Sequence, residues 1–122
     1  MKVLKFLKAN NQPIALGSAS KNAKPILEKT GVLKYFDAIV DGNDVANAKP
    51  DPEVFLHAAR LLNVTNEDSI VFEDSVAGVQ AANIAKMKSI GIGEEKTLHE
   101  AEYIFKDFTE INSTFLELLI NK

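Results

Sequence analysis

Apolar and polar positions along this chain follow two different periods, and the switches between them mark out its elements. Met1 to Asn10 interleaves Lys2, Lys5 and Lys8 with Val3, Leu4, Phe6 and Leu7, which at helical spacing gathers the apolar side chains on one face. The segment lacks the continuous apolar run of a signal peptide, and its apolar face spans only about three turns, so it is read as a helix packed on a core rather than on a membrane. Asn11-Gln12-Pro13 breaks that pattern. Ile14-Ala15-Leu16-Gly17 then reads as a buried strand ending in Ser18-Ala19-Ser20. From Lys21 the period is helical again, with Ala23, Ile26 and Leu27 on one side, until Gly31 supplies a stop. Tyr35-Phe36 lead into a second strand, Ala38-Ile39-Val40, closed by the turn-rich Asp41-Gly42-Asn43-Asp44.

Lys49-Pro50-Asp51-Pro52 is a rigid entry to the next helix. Asp51 is placed to cap it, and Pro52 suits a first helical position, where a missing amide proton costs nothing. Val54, Phe55, Ala58, Leu61 and Leu62 form that helix's apolar stripe. Ser69-Ile70-Val71-Phe72 reads as a third strand with Glu73-Asp74 at its carboxyl end. Ser75 opens a helix of small residues through Ala77, Gly78, Ala81 and Ala82, and Lys88 to Ile92 returns as a fourth strand. Tyr103-Ile104-Phe105 is a short fifth, and Ile111 to Ile120 closes the chain as a helix carrying Phe115, Leu116, Leu119 and Ile120.

Alternation of helix and strand predicts an α/β fold: a Rossmann-like open, mostly parallel sheet with helices on both faces. No repeat, low-complexity tract or linker divides residues 1–122, so a single domain is expected. In such a sheet ligands bind beyond the carboxyl ends of the strands, and that rule selects the residues to weigh.

Composition narrows the chemistry. The chain has 122 residues, 46% hydrophobic and 25% charged, enough for one core without staples. It has no cysteine, which removes disulfides, thiolate nucleophiles and Cys-rich zinc sites and is compatible with a reducing cytoplasm. A formal net charge of −3 disfavours nucleic acid or an anionic membrane surface as partner. No stretch approaches the roughly 18 consecutive apolar residues of a membrane span.

Three strand ends concentrate polar groups. Ser18-Ala19-Ser20-Lys21-Asn22 joins hydroxyls, a cation and an amide at a helix start, a setting suited to phosphate, although Ser20 serves equally as an ordinary helix cap. Lys49 is a surface charge in isolation, but Pro50 biases it to an extended backbone and restricts its direction. Glu73-Asp74 places two carboxylates side by side after an apolar strand, an arrangement either of a capping Asp beside a solvated Glu or of oxygen ligands for Mg²⁺. Gly78, in the first turn of the following helix, permits close backbone packing there. Gly91-Ile92-Gly93 lacks the third glycine of a dinucleotide loop. His57 and His99, both in predicted helices about forty residues apart, have no neighbouring ligand cluster.

Together, S-A-S-K-N after the first strand, A-K-P-D-P before a helix and F-E-D-S-V-A-G after a later strand resemble the haloacid dehalogenase-like phosphotransferases, and within them the β-phosphoglucomutases. The resemblance spans nearly the whole chain. It implies that Ser18 and the amide of Ala19 hold the transferring phosphoryl group, that Lys49 neutralises its charge and orients the nucleophile, and that Glu73 and Asp74 help hold Mg²⁺. It further implies that Ser20, Lys21 and Asn22 grip the second phosphate of a phosphorylated sugar. The implied reaction interconverts β-glucose 1-phosphate and glucose 6-phosphate through a phospho-aspartate.

The chain departs from that pattern where the family has a strand followed by D-x-D-G and a helical cap. Nothing before Ile14 fits, and Asp41-Gly42-Asn43 lacks an acid two residues on. The chain is therefore read as a partial core domain, its carboxyl-terminal part, inactive alone for want of the attacking carboxylate. Its sheet is expected to carry an unfilled edge or gap that favours self-association or pairing with the missing segment. A sugar-phosphate phosphatase of the same superfamily, a non-catalytic phosphate- or Mg²⁺-binding remnant and a receiver-type signalling domain are the alternatives.

Overall fold

The computed structural model describes residues 2–18 and 23–120. Helix α1 (Lys2–Ala9) buries Val3 and lays Phe6 and Leu7 on the core, as its pattern predicts. It stops where Asn11 takes a left-handed backbone (φ 58°). Strand β1 (Ala15–Gly17), helix α2 (Ala23–Thr30), a 3₁₀ turn at Leu33–Tyr35 and strand β2 (Ala38–Val40) follow. Gly31 ends α2 with φ 76°, the role expected of it. Then come α3 (Glu53–Leu62), β3 (Ile70–Glu73), α4 (Val76–Ile84), β4 (Lys88–Ile92), β5 (Tyr103–Phe105), a second 3₁₀ turn at Phe108–Glu110 and α5 (Ser113–Ile120).

All strand pairs are parallel. β1 pairs with β2 from Ala15↔Ala38 to Gly17↔Val40. β3 pairs with β4 from Ile70↔Lys88 to Glu73↔Gly91, and β4 with β5 from Ile90↔Tyr103 to Ile92↔Phe105. The open sheet predicted from the sequence is thus divided into a pair, β1-β2, and a triple, β3-β4-β5. Among the described residues no strand lies between them.

Side-chain packing joins the two groups instead. Helix α3 lies on β1 and β2, α4 lies on β3 and β4, and the two helices touch. One core runs across that face through Val40, Val54, Phe55, Val71, Ala81 and Ala82. The small residues of α4 bring its backbone close to the sheet. On the opposite face Val3, Ile90, Ile111, Leu116 and Leu119 form a second cluster under α1 and α5. Parallel strands covered on both faces need apolar side chains on both sides, and Ser89–Gly91 at the centre of β4 are all buried.

Strand β1 begins at Ala15, one residue later than read from the sequence, and four further details differ, each for a local reason. Strand β3 begins at Ile70 because Ser69 closes the preceding turn, its amide donating to Asn66 O and its hydroxyl to Thr65 O. Pro52 occupies the cap of α3 rather than its first helical position, while Asp51 Oδ1 still accepts from the Glu53 amide at 2.9 Å. Helix α5 starts at Ser113 because Asn112 Oδ1 takes the Phe115 amide. His99 lies exposed in a turn rather than in a helix.

Candidate active site

The carboxyl ends of β1 and β3 are brought together by one side chain. Lys49, in the loop before α3, donates through Nζ to Glu73 Oε2 at 2.7 Å and to the Gly17 carbonyl at 3.4 Å. The ammonium also stands 5.0 Å from the centre of the Phe55 ring, a cation–π distance. The Lys49 and Glu73 side chains are 15% and 10% exposed, so this ion pair is screened from water far more than a surface pair. Sequence reasoning singled out both residues but did not foresee that they pair.

Glu73 is held from its other oxygen as well. Oε1 accepts from the Asp74 amide at 3.0 Å and from the Ser75 amide and hydroxyl at 3.3 and 3.2 Å. Ser75 caps α4 by accepting from the Gly78 amide at 3.0 Å. Gly78 proves essential to this packing in the way its position predicts: a Cβ there would overlap Cγ, Cδ and Oε2 of Glu73.

The two carboxyls feel opposite environments. Burial works to raise the Glu73 carboxyl, but the hydrogen bond and charge of Lys49 together with the hydrogen bonds at Asp74 outweigh it, and Glu73 titrates below the ordinary carboxylate range. Asp74 is pushed the other way, by its hydrogen bond to Glu73, by burial and by the Glu73 charge. Among the described residues Asp74 makes no ion pair, and no three acidic or histidine side chains converge as a complete metal cage. The donors nevertheless fit Mg²⁺, which takes one or two carboxylates and completes its shell with water and phosphate oxygen. Asp74 is the better-placed donor, since Glu73 already serves Lys49.

Beside Lys49 lies a cavity of about 150 Å³, walled by Ser18, Gly42, Ala46, Ala48 and Lys49 over Val54. Ser18 extends the β1-β2 ladder by donating its amide to Val40 O at 2.8 Å. Ala19, Ser20, Lys21 and Asn22, the remaining phosphate-binding candidates, fall outside the described residues. Asp41, 7% exposed, closes a local turn, accepting from the Asn43 amide while its own amide donates to Asp44 Oδ2. A wider groove of about 660 Å³ lies elsewhere, between Gly93 and Lys106, and includes neither Lys49 nor Glu73.

Sequence reasoning missed Glu53 and the ring of Phe55. Glu53 Oε2 accepts from the Ala46 amide at 2.8 Å, and Oε1 accepts from the Asn47 amide and side-chain Nδ2, both at 3.0 Å. An acid in the first turn of a helix is the only signal the sequence offered, and it reads as dipole compensation. Phe55 was counted in the apolar stripe, which says nothing of the cation above it.

A family model for haloacid dehalogenase-like hydrolases matches residues 1–86. The chain belongs to this family. Among its haloacid dehalogenase-like relatives, β-phosphoglucomutase of Bacillus subtilis (strain 168) is 37% identical over 113 residues, covering 93% of this chain and 49% of that protein. A phosphorylated carbohydrates phosphatase of Thermotoga maritima is likewise 37% identical, over 105 residues, covering 80% of this chain and 49% of the relative. The crystal structure of β-phosphoglucomutase from Clostridium difficile superposes with a TM-score of 0.93 at 37% identity, covering 98% of this chain and 54% of that one. This haloacid dehalogenase-like chain therefore spans about half the length of the curated relatives it matches.

Proposed function

We propose that this chain supplies the phosphate-handling part of a Mg²⁺-dependent sugar-phosphate phosphotransferase of the β-phosphoglucomutase kind. The observation that carries the reading is Lys49, held between Gly17 O and Glu73 at the mouth of a cavity that Ser18 also lines. Phosphoryl transfer depends on positioning and on neutralising charge spread over the equatorial oxygens. Lys49 provides a fixed positive charge for that purpose, and Glu73 and Gly17 O fix where it stands. Ser18 and the amide of Ala19 complete the cradle for the transferring group. Ser20, Lys21 and Asn22 take the substrate's second phosphate.

Asp74, with Glu73 beside it, holds Mg²⁺, which when bound offsets the negative charge of phosphate and carboxylates. The 122 residues contain no D-x-D pair, so covalent transfer by this mechanism draws its attacking carboxylate from outside them, and these residues alone turn over no substrate. The edges of β1 and β3 that face away from their paired strands suit association, with a second copy or with a strand carrying that carboxylate. A monodisperse monomer in light scattering counts against the first. Among the described residues no helix is long and apolar enough to cross a membrane, and the cysteine-free composition is compatible with a reducing, cytoplasmic setting.

Titration with inorganic phosphate, followed by amide NMR, tests the cradle. Shifts at Ser18 and Lys49 that disappear in Lys49→Ala support it; phosphate that leaves both amides unmoved refutes it. A phosphatase is the second reading, favoured by the Thermotoga maritima relative at equal identity. Product analysis with β-glucose 1-phosphate, on an intact enzyme in which these residues are joined by the attacking carboxylate, separates the two: glucose 6-phosphate marks the mutase, and free phosphate alone marks the phosphatase.

A further inference from the structure

The loop that carries Lys49 has no regular hydrogen bonding of its own, yet Lys49 must stand still to make three contacts at once. Downstream, the loop is tied to the entry of α3, where the Asp51 amide donates to Ala48 O at 3.0 Å and the Glu53 amide to Asp51 Oδ1 at 2.9 Å. Upstream, its anchor is the Glu53 carboxylate, which gathers three N–H donors from Ala46 and Asn47. Both ends of the segment bearing Lys49 are thereby fastened to the first turn of one helix. That same helix contributes Phe55, whose ring lies under the ammonium and against Gly17.

We propose that Glu53 is a positioning residue: by clamping the backbone of Ala46 and Asn47 to α3, it keeps Lys49 seated over Phe55 and against Glu73. The inference deepens the phosphate-cradle reading and rests on it for its functional meaning. Among the described residues no hydrogen bond or ion pair joins Glu53 to Lys49, so it acts through the backbone of Ala46 and Asn47. A carboxylate suits the task because all three partners are donors and an ionised carboxylate only accepts. Its own titration follows, held below the ordinary range first by the Ala46 amide and then by the Asn47 contacts. Ala46 and Ala48 also form the cavity wall, so releasing the clamp loosens wall and cation together.

The test uses this chain with Glu53→Ala, Glu53→Gln and Lys49→Ala, and two readouts. The first needs no ligand: the Lys49 ε-methylene protons, shifted by the Phe55 ring current. The second is the dissociation constant for inorganic phosphate. The expected result is that Glu53→Ala returns the ε-methylene shift toward that of a free lysine and weakens phosphate binding about tenfold, the scale of one misplaced contact. Glu53→Gln, which keeps the volume and one acceptor, is expected to fall between, and it carries the test if Glu53→Ala does not fold. A folded variant whose ε-methylene shift is unchanged overturns the inference, whatever phosphate does. If the shift collapses while phosphate binds wild type and Lys49→Ala alike, Glu53 positions Lys49 but the phosphate-cradle reading fails.

Discussion

Glu73 occupies the space in which the side chain of any other residue at position 78 would stand. The overlap involves Cγ and Cδ as well as the terminal oxygen, so the carboxylate cannot simply swing its tip aside while keeping Lys49. Gly78→Ala is therefore expected to force Glu73 off Lys49 or α4 off β3. Overpacking of this kind costs about 1–3 kcal/mol, against a gain of up to about 1 kcal/mol in helix propensity. Urea unfolding should show net destabilisation, and a variant as stable as wild type would contradict the packing described.

Removing the ammonium has a distinct signature in pH. In wild type the Glu73 carboxyl lies below its unfolded value, so its contribution to stability is present above the unfolded pKa and is lost as pH falls through the folded one. In Lys49→Met burial, the largest influence, is opposed only by the hydrogen bonds at Asp74, and the folded pKa is expected to rise above the unfolded one. Its contribution is then present at low pH and is lost as pH rises. The slope of stability against pH in the mildly acidic range is expected to change sign, with a loss of about 3–5 kcal/mol at neutral pH from stranding a shielded carboxylate. Equilibrium unfolding at a series of pH values measures both.

Asp37 offers a milder case at the other end of β2. Its Oδ2 accepts from the Ile14 amide at 2.8 Å and its Oδ1 from Lys8 at 3.0 Å, fastening α1 and the start of β1 to the loop before β2. The Ile14 amide first, then Lys8, lower its pKa from the ordinary 3.8. Wild type should accordingly lose stability as pH falls below 3.8 toward the depressed native value. Asp37→Asn is expected to flatten that part of the acid profile without changing its shape near neutrality. An unaltered acid limb would remove Asp37 from the account.

Ser89, 1% exposed in β4, donates to Asn83 Oδ1 at 2.8 Å and accepts from the Glu102 amide at 3.2 Å. Asn83 in turn donates to Glu100 O at 2.9 Å. Ser89→Ala removes the bond to the exposed Asn83 side chain while the Glu102 amide keeps Ser89 O at 3.0 Å, and a loss of about 0.5–1.5 kcal/mol is expected. Calorimetry is the check, and Ser89→Ala melting with wild type would mean that water replaces the hydroxyl.

Much of this was legible from the chain itself. Strands β2, β4 and β5 coincide with their apolar runs because buried parallel strands leave little room for polar side chains. Ser75 as a cap and Gly78 as a point of close approach followed from residue type and position alone. Boundaries slipped where a side chain competes for a backbone group, as Asn112 does for the Phe115 amide and Ser69 for Thr65 O. Within the candidate site, the motifs located Lys49 and Glu73 but not their bond, because a contact across 24 positions is set by packing and not by local pattern. Glu53 was invisible for a related reason: two of its three partners are backbone amides, which carry no sequence signature.

The core that passes from β1-β2 through α3 and α4 to β3-β4-β5 has a consequence for motion. Backbone hydrogen bonds tie strands within each group, whereas side chains, with the Lys49 bridge, tie the groups to one another. Hydrogen-bonded ladders open cooperatively, and interfaces made of side chains open at lower free energy. The pair and the triple should thus behave as two cooperative units in native-state hydrogen exchange, with Lys49 as the latch between them. Anything that loads or unloads that cation then alters how readily the molecule parts along the line where its chemistry sits.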